Sequence, residues 1–355
     1  MIENNMLAYK GRVPWHGLGF AVAADADGET MLKVAGLDWP VQRRALAMRN
    51  ASGEKTVMLT SELGDWRAIV RADNNRVFQI ASDRYHPVQN REIVDFFREY
   101  CDAGHASMET IGGLRDGAVV WALAKLHGGS SANLSDVDQL TGYMLLATSH
   151  DGSLKTIGKP TQVRVVCHNT LTAAIGDKSP ATFSMKHSRK FGPREKADAQ
   201  RVMGMASQQV ARTNEVAASL ANVVIDERGR VEFITRLLGG ETVLEQVVSN
   251  HAQTGAGVSI LDSILESHEV AAAAQDQPMS KVGAAILEAM LTSPGSQLET
   301  AKDTLWGAVN GVTYYADHIS RARSDGNRMF SAWFGQGEQL KVGAMQAAME
   351  MAGVS

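Results

Sequence analysis

A chain of 355 residues with 44% hydrophobic and 21% charged residues and a formal net charge of −4 has a globular composition and the length for two cores. That balance excludes a uniformly basic nucleic-acid coat. No run approaches the roughly 18 uninterrupted apolar residues of a membrane helix, and two cysteines, Cys101 and Cys167, give no disulfide framework. The opening Met1-Ile2-Glu3-Asn4-Asn5 lacks the basic start and apolar run of a secretory leader, so the expected location is the cytoplasm, with both thiols reduced.

The predicted elements begin with short runs of β-branched, aromatic and basic residues at 41–48 and 66–71, then Asn74-Asn75 as a turn before a third strand at 76–81. At 89–101 the period changes: Ile93, Val94, Phe96, Phe97 and Tyr100 share one helical face. Arg115-Asp116-Gly117 is a hairpin signal between strands at 107–114 and 118–126. A polar loop at 127–136, extended structure at 143–148 and a turn at Asp151-Gly152 lead to the strand that contains Arg164. Residues 183–187 read as an edge strand.

From Gly192-Pro193 onward good helix formers dominate. Helices are expected at 193–223, 230–237, 241–254, 259–274, 281–291, 298–318 and 340–352, with Gly239-Gly240, Pro278 and Pro294 marking ends. The expected fold class is α+β. An antiparallel sheet-rich core over 1–190, with a β-β-β-α start, precedes a helical region over 191–355 that packs on the core or on a neighbouring subunit.

Charge is unevenly spread. Between Asp151 and Arg212 eleven Lys or Arg stand against four acids, whereas from Thr213 to Thr300 four stand against twelve. Such asymmetry points to an anionic partner for one part of the chain, although a solvated basic helix face would look the same. The densest cluster is Lys186-His187-Ser188-Arg189-Lys190-Phe191 with Arg194, Lys196 and Arg201. Several cations along one groove would bind phosphates by counterion release, with His187 and Phe191 interleaved as stacking groups. Tyr85-His86-Pro87, after the third strand, offers an aromatic and a cationic group at a sheet-to-helix corner. Arg164, inside an apolar strand, must pair within the protein or face a ligand, because an unpaired buried charge is costly.

Other chemistry is weakly signalled. Cys167 and His168 are neighbours, and on a strand they would point to opposite faces. The ten histidines lack metal-ligand spacing, so no metal is expected. Gly17-Leu18-Gly19 and Gly112-Gly113 are too sparse for a dinucleotide fingerprint, and no Walker sequence is present, so no nucleotide cofactor is expected. Pro14-Trp15-His16-Gly17 reads as a core cap or a base platform. The apolar group at Met329-Phe330-Ser331-Ala332-Trp333-Phe334 must be buried, on the helical region or on a neighbouring subunit.

Pro14–Gly19, Asp83–Asn90, the run Thr161-Gln162-Val163-Arg164-Val165-Val166-Cys167-His168-Asn169-Thr170 and Tyr314–His318 occur in an order that resembles the phage/plasmid-like protein family known as domain of unknown function 932. The resemblance spans about 15–334 and implies no activity. The strand order together with the basic stretch also resembles single-strand annealing recombination proteins. That likeness implies ATP-independent binding of single-stranded DNA on an oligomeric ring or filament. Arg164, Lys186, His187, Arg189, Lys190 and Arg194 would then hold or flank phosphates, and Tyr85 and His86 would contact bases. Two other readings stay open: an accessory protein that binds a phage or host protein through acidic helices, and a sheet-edge enzyme using His150, Asp151, His168 and Asn169.

Overall fold

The computed structural model describes residues 6–11, 19–49, 55–58, 66–166, 169–172, 182–238 and 280–354. The motifs at Trp15-His16 and Cys167-His168, and the helices expected at 241–254 and 259–274, lie outside them. The fold is α+β: a mostly antiparallel, curled sheet in the first half and a helical region after it. The chain forms two compact units, one of residues 1–130, 142–161 and 177–210, the other of 131–141, 162–176 and 211–355.

Unit 1 is organised by a long hairpin. Strands β8 (Ala106–Leu114) and β9 (Val119–Leu126) pair from Ala106↔Leu126 to Leu114↔Val119. Their turn places Arg115, Asp116 and Gly117 at positive φ, conformations that Asp and Gly tolerate best. Gly117 is further required because a Cβ there would lie 2.6 Å from the Trp39 ring. β9 pairs with β11 (Gln139–Ser149), and β8 pairs with β1 (Leu7–Tyr9), which pairs in parallel with β2 (Phe20–Ala21). β12 (Thr156–Arg164) takes β14 (Phe183–Met185) in the register Thr156↔Met185, so the strand expected at 183–187 is shorter than its signal.

A three-stranded sheet carries the β-β-β-α start: β3 (Val41–Arg44), β6 (Trp66–Arg71) and β7 (Val77–Ser82), followed by α2 (Asn90–Asp102). The strand expected at 41–48 ends at Arg44, and β4 (Ala47–Arg49) pairs instead with β5 (Lys55–Met58). The Glu92 carboxylate accepts from Gln89 N (2.8 Å) to start α2, and Ile93, Val94, Phe96 and Phe97 are buried on its inner face. A short helix α1 (Gly28–Val34), capped by Asp27, packs beside it, where no element is expected from the sequence.

Unit 2 holds β10 (Ala132–Asn133), β13 (Asn169–Thr172) and a helical core. Its helices are the end of α3 (Pro193–Ala221), α4 (Glu227–Leu238), α5 (Lys281–Thr292), α6 (Leu305–Tyr314), α7 (Asp325–Phe334) and α8 (Gln336–Ala352). Trp306, Phe233, Leu305, Val309 and Ile286 lie at its centre. The helix expected at 298–318 begins only at Leu305, because the Thr304 hydroxyl caps it by accepting from Gly307 N (3.0 Å), and it ends as a π-helical turn, Tyr315–Ile319. Trp333 and Ala332 are buried along α7, which packs on α8. No described helix is long and apolar enough to cross a membrane.

Candidate nucleic-acid interface

Strand parity sorts the basic cluster. From β14 onward, Phe183, Met185 and His187 turn inward while Ser184 and Lys186 turn outward, as the period of two requires. Past the strand, Ser188, Arg189 and Lys190 are exposed, Phe191 returns to the interior, and Arg194 is exposed in the first turn of α3. Among the described residues no carboxylate pairs with Lys186, Arg189, Lys190 or Arg194. Four cations therefore stand at the surface within nine residues with no carboxylate of the described residues paired to them.

Two buried aromatic contacts hold this loop. The His187 ring stacks on Tyr85, with centroids 4.8 Å apart and planes 29° from parallel. Its Nε2 donates to Leu154 O (3.0 Å), and its carbonyl accepts from His86 N (2.6 Å). Tyr85 in turn donates its hydroxyl to Ser149 O (2.9 Å). Phe191 sits with Phe183 and Phe96, at centroid separations of 6.2 and 6.5 Å. Burial, aided by the Asp151 carboxylate, pushes the Tyr85 phenol up, and burial pushes the His187 imidazole down, so both rings stay neutral near pH 7.

These contacts correct three assignments. Tyr85, His187 and Phe191 are fasteners rather than base-stacking groups, because the Tyr85 and His187 rings stack on each other, the Tyr85 hydroxyl and His187 Nε2 bond backbone carbonyls, and Phe191 is buried. The structure does join the Tyr85-His86 corner to the basic loop, as one ligand surface would require. His86 is half-buried between the charges of Arg43 and Lys190; burial and then these cations hold its pKa below the ordinary histidine value, against the pull of Asp83. Asp83 itself pairs with Arg43 and, at 3.6 Å, with Arg67. Arg84 is exposed with no ion pair among the described residues. It lies within the quoted Asp83–Asn90 motif, and its position next to a turn was the signal that could have marked it.

Arg164 belongs elsewhere. Its guanidinium is 1% exposed and grips Asp138 in a fork, Nε to Oδ1 at 2.7 Å and Nη2 to Oδ2 at 2.6 Å, with Thr300 donating to Oδ2 (2.5 Å) and the Trp306 ring 5.9 Å away. Burial raises the Asp138 pKa, but the bonds and charge of Arg164, with Thr300 and Trp306, more than offset this and leave it below the usual carboxylate value. Arg164 faces an internal carboxylate, not a phosphate. This pairing is the geometry in which Arg can be buried at all.

Of the groups of the enzymatic reading, His150 and Asn169 are buried, Asp151 is half-buried and His168 lies outside the described residues. His150 is fully buried, bonds Asn90 Oδ1 through Nε2 (2.9 Å), and is pushed down to about 3 by burial, with the His187 charge adding and Asp151 opposing. An imidazole with that value exchanges no proton near pH 7. Asp151 accepts from Ser153 N and Oγ in a local turn. Asn169, in unit 2, bonds Asn310 O (3.1 Å). A second buried ion pair, Lys341 Nζ to Asp317 Oδ1 (2.8 Å), ties α8 to the π-helical turn, and both partners also bond the backbone of Thr170. Among the described residues no group of three His, Cys, Asp or Glu is arranged to hold a metal ion.

No curated protein and no solved structure matches the chain. The model of the family described as domain of unknown function (DUF932) matches residues 77–333, a span that contains α2, the β8–β9 hairpin, the basic loop and the Arg164–Asp138 pair. With well over half of its length matched, the chain belongs to the DUF932 family.

Proposed function

We propose that this protein binds single-stranded nucleic acid, with little sequence preference, through the loop Lys186, Arg189, Lys190 and Arg194 and the adjoining His86. The observation that supports this reading most is the four surface cations, unpaired among the described residues, on a loop clamped by the Tyr85–His187 stack. Rigid presentation lowers the ordering entropy that a flexible basic tail would lose on binding. Each phosphate contact releases counterions and gives affinity without reading bases. His86, kept neutral beside these cations, is suited to hydrogen bonding rather than to a further charge contact.

In this role the protein would act by binding, in recombination as a strand-annealing protein of phage or plasmid type, with several copies arrayed along one strand and no nucleotide hydrolysed. Fluorescence anisotropy with single- and double-stranded oligonucleotides tests it. The single strand is expected to bind more tightly, and Lys186→Ala/Arg189→Ala/Lys190→Ala to lose most of that affinity. Absence of binding at low salt would overturn the proposal and favour the reading as an accessory protein with a protein partner.

A further inference from the structure

The outer face of the β3–β6–β7 sheet carries large apolar groups that the core does not use. Cross-strand partners share a face, so the registers Arg44↔Ala68↔Ile80 and Trp66↔Ser82 set Arg44, Ile80 and Trp66 on one side, and Gln42↔Val70↔Val77 continues that row. Along that row Trp66 is 48% exposed, Val77 55% and Ile80 57%, while Ala68 and Val70 on the central strand are buried. The opposite side holds Ile69 and Ala81, both buried, and the Arg43–Asp83 pair. A half-exposed tryptophan on a rigid strand presents an indole surface that burial would normally claim.

One exposed cation on this face points to an anionic occupant. From Val41 to Ser82 the sequence carries seven Lys or Arg against four acids, and Arg43 and Arg67 pair with Asp83, Arg71 with Asp73 and Arg76 with Asp116. Arg44, on the outer face, bonds only the neutral amides of Asn75 and Gln42 among the described residues, so its charge is uncompensated. Trp66 pairs with Ser82, four residues before His86, and His86 N bonds the basic loop at His187. An exposed indole beside the unpaired Arg44 suits a polyanion that also carries flat hydrophobic groups.

We infer that the Trp66–Ile80 face of this sheet is a platform on which bases of single-stranded nucleic acid stack, while Arg44 and the basic loop hold the flanking phosphates. This rests on the reading of the loop as a nucleic-acid interface, and it adds a contribution from the bases that phosphate binding alone would lack.

The test uses the full chain with two probes of equal length, an oligothymidylate and an abasic deoxyribose-phosphate oligomer. Wild type is expected to prefer the probe with bases. Trp66→Ala should lose at least about fivefold in affinity for it, with the abasic probe unaffected, whereas Trp66→Phe should retain most of the preference. Ile80→Ser, at a site already exposed, provides a second variant whose melting temperature should match wild type. Equal binding of both probes by wild type, or unchanged oligothymidylate binding by Trp66→Ala, would overturn the platform and leave the loop reading standing. A change in sedimentation of Trp66→Ala without a change in binding would also overturn it, in favour of a second copy of the chain on this face. Failure of wild type to bind either probe would remove both readings.

Discussion

Tyr85 and His187, 102 positions apart in sequence, stack with ring centroids 4.8 Å apart and fasten the basic loop to the turn that leads into α2. The stack fixes where Lys186, Arg189 and Lys190 emerge, so under the proposed function it would act on binding through geometry rather than contact. Tyr85→Phe keeps the ring and removes the bond to Ser149 O. It should cost about 1 kcal/mol of stability and leave oligonucleotide affinity unchanged, whereas His187→Ala should weaken binding through loosening of the loop. Urea denaturation alongside anisotropy separates the two effects; a loss of affinity in Tyr85→Phe as large as in His187→Ala would contradict the assignment.

The Arg164–Asp138 fork is a structural pair. Arg164→Met leaves the Asp138 carboxylate buried without its guanidinium and should destabilise by about 3–5 kcal/mol. Replacing both partners, Arg164→Met with Asp138→Leu, should recover much of that loss. Denaturant midpoints of the two variants check this, and a double variant no more stable than the single one would show that the fork has a role beyond charge neutralisation.

Lys341 and Asp317 form the second buried pair, and Asp317 also accepts from Thr170 N (2.7 Å). Lys341→Met is expected to destabilise the region around β13, α8 and the π-helical turn by about 3 kcal/mol or more. Hydrogen exchange should show lost protection there first. Uniform loss of protection through both units would mean that the pair supports the whole fold.

His150 makes stability depend on pH. Unfolded, it titrates near 6.5; folded, it stays neutral down to about 3, so between these values the unfolded chain carries the extra proton. The contribution is complete above pH 6.5 and is lost as pH falls towards 3, by up to about 1.4 kcal/mol per pH unit. His187, also shifted down, adds in the same direction. Asp138 adds only below the ordinary carboxylate value, since its folded pKa lies lower still. Melting temperatures from pH 7.5 to 4.5 should fall for wild type and fall less for His150→Gln; identical slopes would contradict a neutral buried His150.

Local signals were legible in the sequence and long-range pairings were not. Arg115-Asp116-Gly117 marked its hairpin because the required left-handed residues are adjacent, and the periodicity of 89–101 marked α2 to within a residue. The alternation Met185-Lys186-His187 already held the answer that His187 points inward. By contrast, Asp138 lies in a loop 26 residues before Arg164, and nothing in its neighbourhood announces a buried acid. The late start of α6 follows from the Thr304 cap, which a helix-forming composition over 298–304 conceals. Trp66 and Ile80 looked like ordinary alternating strand residues; only the register shows that they share an exposed face.

If the exposed loop cations contact phosphates, the salt dependence of binding reports it. For a single strand, the slope of log K against log salt changes by about 0.7 for each phosphate contact. Lys186→Ala/Arg189→Ala/Lys190→Ala should therefore flatten the wild-type slope by about 2. A steep wild-type slope that the variant leaves intact would place the phosphates elsewhere and contradict the account.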